Sequence, residues 1–262
     1  MLENLWLYRE FIFSCVKRDF KSRYTGSILG VLWSVFQPLA MILVYTLIFS
    51  QVMKSKLAGM ETVPFAYSIY LCAGVLTWGM FQEMLFGCVN VFLANANLMK
   101  KVSFPRICLP AITVCNGFLN FIIGFMLFCV FMVLIGKFPW GASPMLFVVL
   151  TVQILFTVGM GIGLGVLNVF FRDIGQMLNV VLQFWFWFTP VVYPLSIIPE
   201  RFAWLMNLNP MYHIISAYQS IFVYHQMPNL MGLLGVLGVS LILTAWSLHL
   251  YRKHVGELVD EL

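Results

Sequence analysis

Apolar residues run along this chain in long stretches, separated by short polar clusters. No Asp, Glu, Lys or Arg occurs in residues 24–53, 62–82, 107–136, 138–171, 174–199 or 202–251. A helix that crosses a bilayer needs roughly 20 mostly apolar residues, and each window can hold one. A soluble bundle would show a polar face at helical spacing instead. The pattern predicts an all-α integral membrane protein with six transmembrane helices, over 29–53, 66–93, 107–135, 144–170, 176–195 and 231–251.

Two segments depart from that pattern. In the first 28 residues, Leu5, Tyr8, Ile12, Val16 and Phe20 share one broad helical face, while Glu10, Lys17, Arg18, Lys21 and Arg23 take the other. Such a helix is too charged to insert and is expected to lie in the headgroup layer. Arg9 and Asp19 fall on the apolar arc and weaken the pattern, and a plain basic tail that sets topology is the alternative. Residues 195–230 carry almost no charge, and read as two short amphipathic helices split at Asn209-Pro210. They are expected to be re-entrant or outer-face helices between spans five and six; as a seventh span they would turn the C-terminus outward. The chain reads as one transmembrane domain, 1–262: an interfacial helix (1–28), a six-span bundle (29–251) and a cytoplasmic tail (252–262).

Charge sets the direction. With both termini cytoplasmic, eleven of the fifteen Lys and Arg fall inside, leaving Lys54, Lys56, Lys137 and Arg201 outside, as the positive-inside rule requires. The net charge of +5 therefore follows the membrane and does not point to nucleic acid. Composition agrees: 10% of residues are charged and 61% hydrophobic, against roughly 25% charged in soluble domains. Six cysteines follow no metal-ligand or disulfide spacing and read as small buried apolar residues. Glu3, Arg9 and Glu10 precede any long apolar run, unlike a cleaved signal peptide.

Few residues offer chemistry. Gly159, Gly161, Gly163 and Gly165 form two overlapping GxxxG pairs in the fourth span, suited to tight packing within one subunit or between two. Phe184 to Phe188 are five consecutive aromatics at the end of the fifth span, followed by Pro190 and Pro194. Irregular backbone at membrane depth persists only where protein or water satisfies it, so a broken helix is expected there. Glu83 is the one acidic residue deep in a span, with no partner evident from sequence. A proton-coupling carboxylate and a packing role near the inner surface both remain open. No phosphate loop, GxSxG motif or paired acidic motif is present, so nucleotide energy would have to come from another chain.

Several local patterns together carry a family resemblance. Arg23-Tyr24-Thr25-Gly26-Ser27-Ile28-Leu29-Gly30-Val31-Leu32-Trp33 with Pro38, then Phe171-Arg172-Asp173-Ile174, Thr189-Pro190-Val191-Val192-Tyr193-Pro194 and Leu208-Asn209-Pro210 resemble type-2 ABC exporter permeases. Among these, the membrane subunits of polysaccharide exporters (O-antigen, capsule or teichoic acid type) are the most similar. Gln219 departs from the Arg that many relatives place there.

The resemblance implies two permease copies and two separate ATPase subunits, with ATP and Mg held by those subunits and no cofactor in this chain. It implies a coupling loop on the ATPase with Asn97, Lys100, Lys101 and Arg106, and an outer gate with Pro190, Tyr193, Pro194, Asn209 and Pro210. The implied substrate is an undecaprenyl-diphosphate-linked glycan. Trp33, Phe36, Tyr45, Phe49, Phe184, Trp185 and Trp187 would stack on its sugars without fixing one register. Arg18, Lys21 and Arg23 would receive the diphosphate, although membrane orientation and anionic lipid explain the same charges. Other readings are an exporter of another lipid or a drug, a proton-driven transporter using Glu83, and a membrane enzyme limited to Glu61, Asp173 and Glu200.

Overall fold

The apolar windows fold as helices whose boundaries have local causes. The computed structural model describes residues 6–23, 25–52, 65–101, 104–259 and 261; Glu3, Leu5, Tyr24, Lys54, Lys56 and Glu61 lie outside the described residues. In chain order the helices are α1 (Arg9–Arg23), α2 (Trp33–Tyr45), α3 (Ala66–Ala94), α4 (Ala96–Lys101), α5 (Cys108–Leu134), α6 (Pro144–Phe170), α7 (Asp173–Trp187), α8 (Ala203–Leu208), α9 (Pro210–Phe222) and α10 (Leu230–His254). A 3-10 turn, Gly30–Leu32, leads into α2, and a π-helical stretch, Thr46–Val52, continues it. No strand occurs among the described residues.

Proline opens α6 and α9 at a position where its missing N–H costs nothing. Glycine closes α5. Gly136 takes φ +68, its N–H donates to Val133 O (3.0 Å), and the Lys137 N–H donates to Met132 O (2.9 Å), the paired bonds of a left-handed helix stop.

Among the described residues, five helices are long and apolar enough to cross a membrane: Gly30–Phe49, Ala66–Ala94, Cys108–Leu134, Pro144–Phe170 and Leu230–His254. The segment expected as the fifth of six spans differs. Its helix, α7, has 15 residues and at 1.5 Å per residue is about 22 Å long, short of the roughly 30 Å hydrocarbon core. Pro190 is the reason: it lacks an N–H and biases Thr189 away from helical geometry.

The core is organised around α3. Of its apolar window 67% is buried, against 6% for Gly30–Phe49, so α3 is the axis of the fold and the first span its periphery. Around α3 pack α5, α6, α7 and α9, with Phe81 stacked on Phe156 at 5.9 Å. The four glycines of α6 form two seams inside the chain. A Cβ on Gly159 would lie 2.7 Å from Thr244 Oγ1, and one on Gly163 2.5 Å from Ser247 Oγ, both on α10. A Cβ on Gly161 would meet Cys88 Cβ at 2.7 Å and one on Gly165 Cys88 O at 2.5 Å, both on α3. Of the two readings open for the GxxxG pairs, internal packing holds.

Helix α1 lies against the start of α5, burying Cys15 and Val16 on Ile112, with Phe11 and Ile12 beside them. Asp19, out of place on that face by sequence, is answered by Asn116, whose Nδ2 lies 3.5 Å from Asp19 Oδ2.

Candidate functional site

Polar groups gather at two ends of the bundle. At one end, the chain leaves α7 through an elbow at residues 188–194. Breaking the helix at Pro190 strands backbone carbonyls where water is scarce, and buried carbonyls need donors. Three side chains supply them. The Tyr67 hydroxyl donates to Val192 O at 2.8 Å. The Tyr70 hydroxyl sits between Tyr193 O (2.8 Å) and Pro190 O (3.0 Å) and donates to one at a time. The Gln219 amide donates to Pro190 O at 3.3 Å. Gln219 is buried, and as a neutral amide it satisfies that carbonyl without burying a charge. Gly74 lets the elbow close on α3, since a Cβ there would lie 2.7 Å from Val191 O.

Asn209 ties the elbow to α9. Its Oδ1 accepts from Trp185 Nε1 (2.9 Å) and from the Met211 N–H (3.1 Å), while its Nδ2 donates to Thr189 Oγ1 (2.8 Å). One side chain thus caps α9, holds the α7 indole and fixes the turn before Pro190. Tyr193 donates to Trp187 O at 2.6 Å. The structure brings Pro190, Tyr193, Pro194, Asn209 and Pro210 together here; their motifs pointed to this region, but Tyr67 and Tyr70 carried no signal beyond being aromatic.

The aromatic set divides. Trp33, Phe36, Phe184 and Trp187 are exposed, on the outer faces of α2 and α7. Tyr45 and Phe49 are half-buried, and Phe49 lies 5.4 Å from the Tyr67 ring. Trp185 turns inward, edge-on to Trp78 (6.2 Å) and Phe81 (5.4 Å), with its N–H held by Asn209. It packs the subunit's own interior.

At the opposite end, Arg23, the last residue of α1, reaches Glu83 of α3, with Nη1 3.1 Å from Oε1. Asn120 of α5 donates to the same oxygen at 2.5 Å. Glu83 therefore has a basic partner after all, one 60 residues away in sequence, and span-by-span reading had no means of pairing them. Arg18 pairs with Asp19 at 3.0 Å, and Lys21 is exposed.

Beside this cluster, α4 turns Met99 inward and leaves Asn97, Lys100 and Lys101 exposed. Arg106 does not project with them: its Nη1 donates to Val255 O. The residues after α10 fold back beneath α4, so that Leu258 and Tyr251 join Phe92, Met99 and Ile107 in one apolar cluster. His254 and Glu257 close that turn at 2.7 Å. Asn168 fixes the neighbouring α6–α7 junction, donating to Val89 O at 3.0 Å and accepting from the Gly175 N–H at 2.9 Å.

Burial pushes the Cys15 thiol above its ordinary pKa; nearby Arg18 works against that shift and Asp19 adds to it.

Comparison with known proteins places these features. Residues 10–223 match the ABC-2 type transporter family. The O-antigen export system permease protein RfbA of Myxococcus xanthus is 33% identical over 264 residues, spanning 100% of this chain and 99% of that protein. RfbA of Klebsiella pneumoniae is 30% identical over 228 residues, or 85% of this chain and 84% of that protein. More distantly, the polysialic acid transport protein KpsM of Escherichia coli is 22% identical over 201 residues, 76% of this chain and 75% of that protein. With the family match running from α1 through α9, this chain is a multi-pass membrane protein that belongs to the ABC-2 type transporter family.

Proposed function

We propose that this chain is the permease subunit of an ATP-driven exporter that moves a lipid-linked polysaccharide, of O-antigen type on undecaprenyl diphosphate, across the bacterial inner membrane. The observation that carries the reading is the end-to-end correspondence with the Myxococcus O-antigen export permease. In this reading the single domain makes six crossings with both termini cytoplasmic. The short α7 and its elbow complete the fifth crossing, α8 and α9 are re-entrant at the outer face, and α1 rests in the inner headgroup layer.

Two copies and two ATPase subunits make the working assembly, and the ATPase subunits hold ATP and Mg. Asn97, Lys100 and Lys101 face the ATPase; Arg106 steadies their loop from behind. Trp33, Phe36, Phe184 and Trp187, with Tyr45 and Phe49 toward the outer end, line the glycan path. Many weak stacking contacts suit a sliding polymer, because tight binding would stall it. Trp185 is set aside from that path because its indole is committed to its own subunit. Arg18 and Lys21 meet the diphosphate at the inner side; Arg23 is set aside from them because it is held by Glu83. The elbow is the outer gate. Glu83 anchors α1 through Arg23.

Purification of the tagged chain in mild detergent, with mass spectrometry of what stays bound, tests the reading. A near-stoichiometric partner with a phosphate-loop motif is expected, and deletion of the chain is expected to trap glycan on the cytoplasmic side. Normal surface polysaccharide in the deletion strain would refute it.

A further inference from the structure

A cavity of about 560 Å3 opens between α2, α3 and α5, and its wall is graded. Arg23, Ser34, Gln37, Glu83 and Asn120 line it toward the α1 end. Beyond them the lining becomes Pro38, Met41, Val75, Leu76 and Gly124. The gradient runs the same way along all three helices. On α2 it goes from Ser34 to Met41, on α3 from Glu83 back to Val75, and on α5 from Asn120 to Gly124. At 1.5 Å per residue the apolar part extends about 12 Å along α3 beyond Glu83. A polar end at the α1 level and an apolar slot running deeper match the head and tail of a membrane lipid.

Gly79 shows how the opening is kept clear on the α3 side. The other glycines of α3 are demanded by neighbours: a Cβ on Gly74 would meet Val191 O at 2.7 Å and one on Gly87 would meet Thr113 Cγ2 at 2.5 Å. Gly79 has nothing within 4 Å, yet it stands mid-helix in the cavity wall, where glycine is unfavourable. The space beside Gly79 is open within the cavity and is not filled by this chain.

The charges select the occupant. Among the described lining residues, the polar end holds one cation and one anion, 3.1 Å apart. A dianionic diphosphate would gain Arg23 but face the Glu83 carboxylate. A headgroup bearing one phosphate and one ammonium would exchange the Arg23–Glu83 pair for two charge-assisted hydrogen bonds, phosphate to Arg23 and ammonium to Glu83, with the amide of Asn120 alongside. We propose that this cavity is a binding site for a zwitterionic phospholipid of the phosphatidylethanolamine type, seated as a wedge between the first span and the rest of the subunit. The site does not depend on what the protein transports.

The test is lipid occupancy of the full chain, purified in mild detergent with whatever subunits accompany it and then reconstituted in nanodiscs. The nanodiscs hold equal amounts of phosphatidylethanolamine and phosphatidylglycerol, and lipid that survives extraction is counted by native mass spectrometry. Native chain is expected to retain phosphatidylethanolamine over phosphatidylglycerol by roughly tenfold, the discrimination that one charge-assisted hydrogen bond supplies. Glu83→Gln keeps the shape and the Asn120 contact but is expected to lose that preference. Gly79→Leu is expected to fold as native, since open space surrounds the position, and to retain neither lipid. Equal retention of both lipids by native chain, retention by Gly79→Leu at the native level, or preferential capture of an added polyprenyl diphosphate would each overturn the proposal.

Discussion

Replacing Asn209 with alanine tests whether the elbow is held by one side chain. The substitution removes four bonds at once, the three described above and a longer one from Nδ2 to Phe188 O at 3.5 Å. Loss of the α9 cap, Oδ1 to the Met211 N–H at 3.1 Å, costs about 1 kcal/mol. The Trp185 N–H, whose ring is packed among Trp78 and Phe81, then has no acceptor, and an unsatisfied buried donor costs about 1–3 kcal/mol. The sum is about 2–4 kcal/mol, which lowers the melting midpoint by roughly 5–10 °C for a chain of this size. Asn229 is the internal control: it caps α10 through Gly232 N at 3.2 Å, so Asn229→Ala loses about 1 kcal/mol. The assay heats the detergent-solubilised chain and follows its monodisperse fraction by size exclusion. Trp185→Phe completes a cycle, because once the indole N–H is gone, removing Asn209 costs less; the coupling expected is about 1 kcal/mol or more. Equal losses for Asn209→Ala and Asn229→Ala, or strict additivity with Trp185→Phe, would refute the account of the elbow.

Three further outcomes follow from the packing. Gly165→Ala forces a Cβ within 2.5 Å of the Cys88 carbonyl and is expected to cost about 1–3 kcal/mol, whereas Gly238→Ala, with open space around it, is expected to be neutral or mildly stabilising; a thermal melt compares them. The Cys15 thiol, raised by burial from an ordinary value of 9.0, carries less thiolate at any given pH than a surface cysteine. Its alkylation at neutral pH is expected to be slower than that of a cysteine placed at Lys17, and to climb only at more alkaline pH; equal rates measured by mass spectrometry would contradict the burial. In a cysteine-free background, a cysteine at Lys101 is expected to be shielded from an impermeant thiol reagent in intact cells while one at Gly141 reacts, and the reverse pattern would invert the proposed topology.

What the sequence disclosed follows from which forces are local. Charge-free windows locate α3, α5, α6 and α10 closely, because the bilayer length requirement acts on each segment alone. Pro190 foretold a break, but not that the break would shorten α7 to 15 residues, since that depends on Tyr67, Tyr70 and Gln219 arriving from other helices to satisfy the freed carbonyls. The Arg23–Glu83 pair was hidden for the same reason: its members look like a topogenic cation and an isolated carboxylate until α1 is laid against α5. Five successive aromatics around α7 point in every direction, so only tertiary packing separates Trp185, turned inward, from Phe184 and Trp187, turned out. The α6 glycines announced close packing, but two seams on two partners could be resolved only once α3 and α10 were placed.

The bond from Arg106 to the Val255 carbonyl joins residues 149 apart, with Leu258 buried beneath the same loop. That separation imposes an order of assembly. During synthesis, α4 and its basic face emerge well before the segment that braces them, so the loop spends most of translation without its support. The surface proposed above to face the ATPase is therefore completed last, after α10 is in place. A chain interrupted before residue 255 would present the proposed docking residues on a loop with no underpinning, so under the proposed function recruitment of the ATPase would report that the chain has been made through its final helix.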